Sequence, residues 1–355
     1  MGLVGVEHPS VDRAVLVPFT KVAAGILRFS DVDVVGACDY RDHRVGRRTT
    51  EIVGEDVEEL EIRPFEELEE LLEEAEWLIW TKEVFDEDEH YLRWRRAIDL
   101  AVTKGVNVYN MGRLHMVSQD PNWRLEAHKR GVEYFDASDP ELYLDYLEYG
   151  IRAREEGINA EVVTVVGTGR RTGKFTTLNV TREILEEEGV NVRSVGTEPS
   201  SLLVGCEAMV IPQVLPMGHA AGTVYGAVKR LDEEYEPDVI LVGSQTGVTA
   251  DPLEVGTGRG GALASLTILL GSDPDKMILA TRPELKDRLQ DAAEVATVLT
   301  GARIQFISVN GKDLSESEVR RFCREVESEF GYPAADPLKM REEFRELVLD
   351  LIPSD

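Results

Sequence analysis

Val162-Val163-Thr164-Val165-Val166-Gly167-Thr168-Gly169-Arg170-Arg171-Thr172-Gly173-Lys174-Phe175-Thr176-Thr177 runs from an apolar stretch through a glycine-containing loop into a segment of helical periodicity that starts at Leu178. The order is strand, phosphate loop, helix. In such a loop successive backbone N–H groups and a helix N-terminus converge on phosphate oxygens; a lysine bridges the outer phosphates and a hydroxyl holds the metal. Lys174 takes the lysine position, and Thr176 or Thr177 the hydroxyl. Counting back from Gly173-Lys174, the first glycine of the consensus falls on Thr168, with Gly167 one residue early. Phe175 stands where the consensus has Ser or Thr. Arg170 and Arg171 lie inside the loop, where their planar forks suit phosphate. The bland alternative is a glycine-rich turn with exposed basic residues.

Working outward, the 355 residues suffice for two domains with full cores. The reading places a Rossmann-like domain at 1–157 and a P-loop NTPase-like α/β domain with a mostly parallel sheet at 158–355. No apolar run reaches membrane-spanning length and no signal peptide is evident, so a cytoplasmic protein is expected. Cys38, Cys206 and Cys323 are scattered without ligand spacing, which fits a reducing compartment. A formal charge of −28 disfavours nucleic acid and anionic lipid as partners. Only ten of the 39 basic residues are lysine, and the acidic excess is read as a solvated surface suited to salt or heat.

In the first domain, 14–17, 22–29 and 32–38 read as strand, helix, strand. Asp39 closes the second strand, where a dinucleotide-binding fold keeps its ribose-binding acid, but the turn Pro18-Phe19-Thr20-Lys21 lacks G-x-G-x-x-G. A structural Rossmann-like domain without a dinucleotide fingerprint is therefore expected. Residues 55–76 read as an acid-rich stretch whose latter part, after Pro64, is an amphipathic helix. Strands follow at 77–80 and 106–109 around a helix at 91–104. The loop 110–121 then offers His115, as a ligand-binding or buried histidine, and Asp120, as an N-cap. A connecting helix at 142–156 ends the domain.

The second domain continues with a strand at 190–195 and Gly196-Thr197-Glu198-Pro199, where Glu198 is the first choice for a metal-linked carboxylate or base. His219, in the small-residue stretch 216–223 that opens a helix, is either a ligand contact or a cap. Strand 238–242 ends in Gly243 where phosphate-loop enzymes often carry a metal-associated acid. Gln245 and Asp251 remain as polar groups. Gly256 to Gly261 is a second glycine-rich loop with Arg259 as an anion contact, and the apolar helix 262–270 suits a core or a homo-oligomer interface. Strands at 277–281 and 304–309, a helix from 314, a loop at 333–337 and a helix at 338–351 complete the chain.

Two segments together resemble the DgcN-like two-domain family over nearly the whole length. Gly112-Arg113-Leu114-His115 through Asp120-Pro121 is similar to its G-L-H-x-x-L-x-x-D-P segment; Gly167-Thr168 and Gly173-Lys174-Phe175-Thr176-Thr177 match its G-T-D-C-x-x-G-K-M-T-T loop. The loop shape is similar to dethiobiotin synthetase, and Gly169 to Thr172 to cyclic 2,3-diphosphoglycerate synthetase. The family's loop Asp is Gly169 here, the Glu of its E-G-Q segment is Gly243, and an acid near Pro216-Met217 is missing. The resemblance implies two enzyme readings for a small-molecule substrate. In one, ATP with Mg²⁺ binds at 167–177 and a small carboxylate or phosphorylated metabolite is activated. In the other, the loop grips acetyl-CoA, and His115, His219 or Glu198 acts as base in N-acetylation of an amino acid such as D-glutamate. The missing acids leave a third reading, a nucleotide-gated binding module without turnover.

Overall fold

A computed structural model describes residues 8–54, 57–85, 87–113, 122–249 and 261–353. The chain forms two compact units: one runs to Leu142 and takes in Leu202–Gly205, and the other holds the rest from Tyr143 onward. Among the described residues no helix is long and apolar enough to cross a membrane.

The first unit is a sheet of six strands, β1 Arg13–Val17, β2 Asp33–Asp39, β3 Ile62–Pro64, β4 Trp77–Trp80, β5 Asn107–Asn110 and β6 Tyr134–Asp136. All pair in parallel in the order β3-β2-β1-β4-β5-β6, the strand order of the dinucleotide-binding fold. The connecting helices are α1 Lys21–Phe29, α2 Thr49–Val53, α3 Leu68–Leu71, α4 Asp88–Lys104 and α5 Asn122–Lys129. Ala14 to Val17 and Trp77 to Trp80 are buried along their whole length, as expected for strands covered on both faces. The long amphipathic helix expected after Pro64 is one turn, α3. Before it, Ile62 pairs with Ala37 and enters the core.

The first βα turn is filled by the chain's own groups. Thr20 caps α1 by accepting from the N–H groups of Val22 and Ala23, and the Thr81 hydroxyl donates to Pro18 O at 2.5 Å. The fully buried Asp39 carboxylate is held by Arg41, with Nε on Oδ1 at 2.8 Å and Nη2 on Oδ2 at 2.5 Å. Thus the acid at the ribose position is already satisfied by a guanidinium of its own unit.

The second unit contains β7 Glu161–Gly167, β8 Val192–Gly196, β9 Ala208–Met209, β10 Val239–Val242, β11 Lys276–Thr281, β12 Arg303–Val309 and β13 Ala334–Ala335. These form a parallel sheet in the order β13-β12-β11-β7-β10-β8-β9. Its helices are α6 Leu144–Ala153, α7 Lys174–Glu187, α8 Met217–Tyr235, α9 Ala262–Ser272, α10 Leu289–Thr300, α11 Glu316–Phe330 and α12 Arg341–Leu349. The chain passes from β7 to β8 on one side and reaches β11 on the other only after β10. The carboxyl end of β7 is therefore the switch point at which open α/β sheets bind ligands.

α6, expected as a connector inside the first domain, belongs to the second unit, so the division falls at Leu142/Tyr143 rather than 157. It crosses α8 on glycines. A Cβ on Gly150 would lie 2.3 Å from Gly222 O, and one on Gly226 1.8 Å from Tyr146 O. β13 lies within the segment 333–337 expected to be a loop.

Candidate phosphate-binding site

β7 is buried from Val162 to Gly167 and delivers the loop to the switch point. Helix α7 opens at Lys174 behind Gly173, whose φ of 90° puts it in the left-handed region that glycine enters without steric cost. Arg171 takes a left-handed φ of 57° at the exposed tip of the loop. Such a residue costs on the order of 1–2 kcal/mol and persists where neighbours hold it. The neighbour is Asn310, whose Nδ2 donates to Arg171 O at 2.8 Å. On the other side of the loop, the Thr168 hydroxyl pairs with that of Thr281 at 2.9 Å, and Thr168 N–H donates to Ala280 O at 3.0 Å.

Lys174 folds back into the loop. Its Nζ donates to Gly169 O at 2.8 Å and lies 3.4 Å from Thr172 Oγ1, with 9% of the residue exposed. Thr172 Oγ1 also donates to Gly169 O at 3.3 Å. A Cβ on Gly167 would stand 3.1 Å from Lys174 Nζ, so the glycine leaves space for the ammonium. The loop after β10 lies over this arrangement: Val248 N–H donates to Gly167 O at 3.2 Å, and a Cβ on Gly247 would come within 2.9 Å of Gly169 Cα.

These features fit a phosphate. A buried ammonium sits beside backbone turned at Arg171 and Gly173, at the N-terminus of a 14-residue helix whose first N–H groups have no intrahelical acceptor. The fit to a metal is thinner. Phe175 replaces the usual hydroxyl, and Thr177 is turned away, its Oγ1 bonded to Ser308 Oγ at 2.7 Å with no exposure. Of the two threonines expected for the metal, half-buried Thr176 is the one left. Among the described residues no group of three His, Cys, Asp or Glu converges.

The other expected site residues divide. Glu198 ends the turn after β8, half-buried; its carbonyl accepts from Ser201 N–H at 3.0 Å and from Ser201 Oγ at 2.6 Å. Gln245 is 7% exposed, and its amide donates to Thr197 O rather than toward the loop. His219 sits exposed in the first turn of α8, beyond β9. His115, Asp251 and Arg259 lie outside the described residues. Burial raises the Cys206 thiol pKa, against the pull of the nearby Arg182 charge, which makes it a poor nucleophile.

The sequence reading missed Thr281, Ser308 and Asn310. The only local sign was their position, just inside or after the carboxyl ends of β11 and β12.

A search of the curated proteins found no match. Among solved structures, a DUF1611 family protein from Anabaena variabilis superposes with a TM-score of 0.73 at 19% identity, covering 96% of this chain and 99% of that one. The septum site-determining protein MinD from Pyrococcus horikoshii, complexed with Mg-ADP, has a TM-score of 0.34 at 17% identity, over 55% and 90% of the two chains. Cobyrinic acid a,c-diamide synthase from Mycobacterium smegmatis, with bound ADP and magnesium, has 0.36 at 13%, over 54% and 94%. The first of these supports the two-domain fold. Two family models match, a DUF1611 Rossmann-like domain of unknown function at residues 42–140 and a DUF1611 P-loop domain of unknown function at residues 150–347. With its parallel Rossmann-like and P-loop domains and a P-loop match over more than half its length, the chain belongs to the DUF1611 family.

Proposed function

We propose that residues 167–177 bind the phosphates of a nucleotide, ATP with Mg²⁺, and that the protein is an enzyme activating a small carboxylate or phosphorylated metabolite by phosphoryl transfer. The observation that carries this reading is the Lys174 ammonium, buried in the loop and held on Gly169 O at 2.8 Å. A buried cation at a helix N-terminus is the electrostatic complement of a polyphosphate. The loop N–H groups orient the phosphates, while Lys174, Arg170 and Arg171 offset charge that develops on the transferred group. Thr176 and Glu198, with Asp251 by sequence, are the oxygen donors assigned to a metal. When bound, Mg²⁺ would neutralise adjoining phosphate oxygens.

One observation favours a second reading, a nucleotide-gated binding module. Gly243 follows β10 where an acid would hold the metal's water shell, and nothing lies closer than 3.5 Å to a Cβ built there. The space for a side chain is present and the carboxylate is not.

Calorimetric titration with ATP, Mg²⁺ and, separately, acetyl-CoA tests the proposal. Mg²⁺-dependent ATP binding with substrate-stimulated ADP release supports the enzyme; ATP binding without turnover supports the module. Preferential binding of acetyl-CoA overturns both in favour of acyl transfer.

A further inference from the structure

Gln213, Ser244 and Thr249 carry side-chain polar atoms that are buried with no hydrogen-bond partner: both ends of the Gln213 amide, Ser244 Oγ and Thr249 Oγ1. Ser244 is 3% exposed. Buried polar groups in folded proteins are almost always paired, and an unpaired one calls for a cause such as an absent ligand.

The topology gathers the three at one end of the sheet. Gly243 N–H donates to Val195 O and Val210 N–H to Gly196 O, both at 2.9 Å. Residues 210–214 therefore leave the sheet on one side of β8 and residues 243–249 on the other, where the Gln245 amide donates to Thr197 O after β8. The turn Pro212–Val214 packs against α9, and Ser265 of α9 donates to Gln245 O at 2.5 Å. Val248 N–H on Gly167 O sets Thr249 beside the phosphate loop. In segments 206–214 and 243–249 the one charged residue is Glu207, whose carboxylate takes Ser194 N–H at 2.8 Å, away from this end. Half-buried Glu198 adds negative charge nearby. A carboxylate, which only accepts, would leave Gln213 Oε1 unpaired, whereas a neutral group that both donates and accepts satisfies both ends of that amide.

We infer that the carboxyl ends of β8 and β10 form a subsite for a neutral polar group, a carboxamide in its simplest form, on the molecule that meets the nucleotide. This deepens the function proposed above and rests on it only for what the neighbouring loop holds. Gln213 pairs with both edges of the amide, and the Ser244 and Thr249 hydroxyls complete its hydrogen bonds.

The test uses the full ¹⁵N-labelled chain, with and without Mg²⁺ and ADP, titrated with acetamide and separately with acetate. The readouts are the Gln213 side-chain NH₂ resonance, assigned by its loss in Gln213→Leu, and the melting temperature. The subsite predicts a saturable shift with acetamide, at least tenfold weaker with acetate. In Ser244→Ala the shift is lost while ADP affinity stays within twofold of wild type in both variants. Each variant also melts about 2–4 °C higher, because an unpaired buried group has gone. Absence of saturation, equal response to acetate, or variants that melt lower would overturn the inference; the last would make these groups structural. Failure of ADP to bind while acetamide still saturates would sink the nucleotide reading and leave the subsite standing.

Discussion

Replacing Lys174 by methionine removes the charge from the phosphate loop while keeping most of the side chain's volume. Lys174 Nζ donates to Gly169 O at 2.8 Å, and in the proposed role it exchanges that bond for phosphate. A hydrogen bond to a charged group contributes about 1.5–3 kcal/mol. Two such bonds to the outer phosphates put the loss at about 3–6 kcal/mol, or roughly 10²- to 10⁴-fold in Kd. The fold should survive, because Thr172 Oγ1 still reaches Gly169 O at 3.3 Å and methionine buries comparable apolar surface. Isothermal titration with ATP and Mg²⁺ measures the first quantity, and a thermal melt the second, expected within about 3 °C of wild type. ATP binding within threefold of wild type would refute the role given to Lys174. A collapse of the melt would make the ammonium a structural group.

Gly226→Ala forces a methyl to 1.8 Å from Tyr146 O; separating α6 from α8 should cost about 3 kcal/mol, a fall in Tm of about 6–12 °C, and a fall under 2 °C would contradict the close crossing. Asn310→Ala frees the strained Arg171 carbonyl and should weaken ATP binding about tenfold; unchanged affinity would show that the loop holds its shape alone. Gly243→Asp has room for its Cβ and should keep the fold while making ATP binding more dependent on Mg²⁺, so an unaltered Mg²⁺ titration argues against a metal at this strand end. Glu66, Glu187 and Glu343 are held below the usual carboxylate pKa chiefly by hydrogen bonds from Arg93, Arg345 and Arg320, Glu233 by Tyr149 and Glu318 by Ser315. Because the unfolded chain binds more protons there, their stabilisation is complete above the unfolded value of about 4.3 and is lost as pH falls through the lower folded values. Melts from pH 6 to pH 3 should show that loss, smaller in 1 M salt, which screens exposed pairs.

Most of the fold was legible before any coordinates. The strands around the phosphate loop are apolar because parallel strands are covered on both faces, and that writes an unbroken run such as 162–166 into the sequence. The helix read from 314 begins at Glu316, behind Ser315 and Glu318, which form a capping box. β3 and β13 were not legible. Three and two residues long, they carry no period and exist because a neighbouring strand offers hydrogen bonds. The helix 142–156 was read correctly as a helix, but which unit it joins depends on glycines of α8 some seventy residues away.

The sequence by itself determined the parts whose physics is local: alternating strands and helices, the glycines that let the loop turn, and a lysine at the head of α7. Tertiary structure decided which of these groups point where. Pairing of β7 with β11, and of β11 with β12, brings Thr281, Asn310 and Ser308 to the loop across more than a hundred residues of chain. It turns Thr177 inward and leaves Gln245 on Thr197. A side chain's partner is fixed by strand order and register, which arise from burial summed over the whole sheet, and no window of neighbouring residues contains that sum.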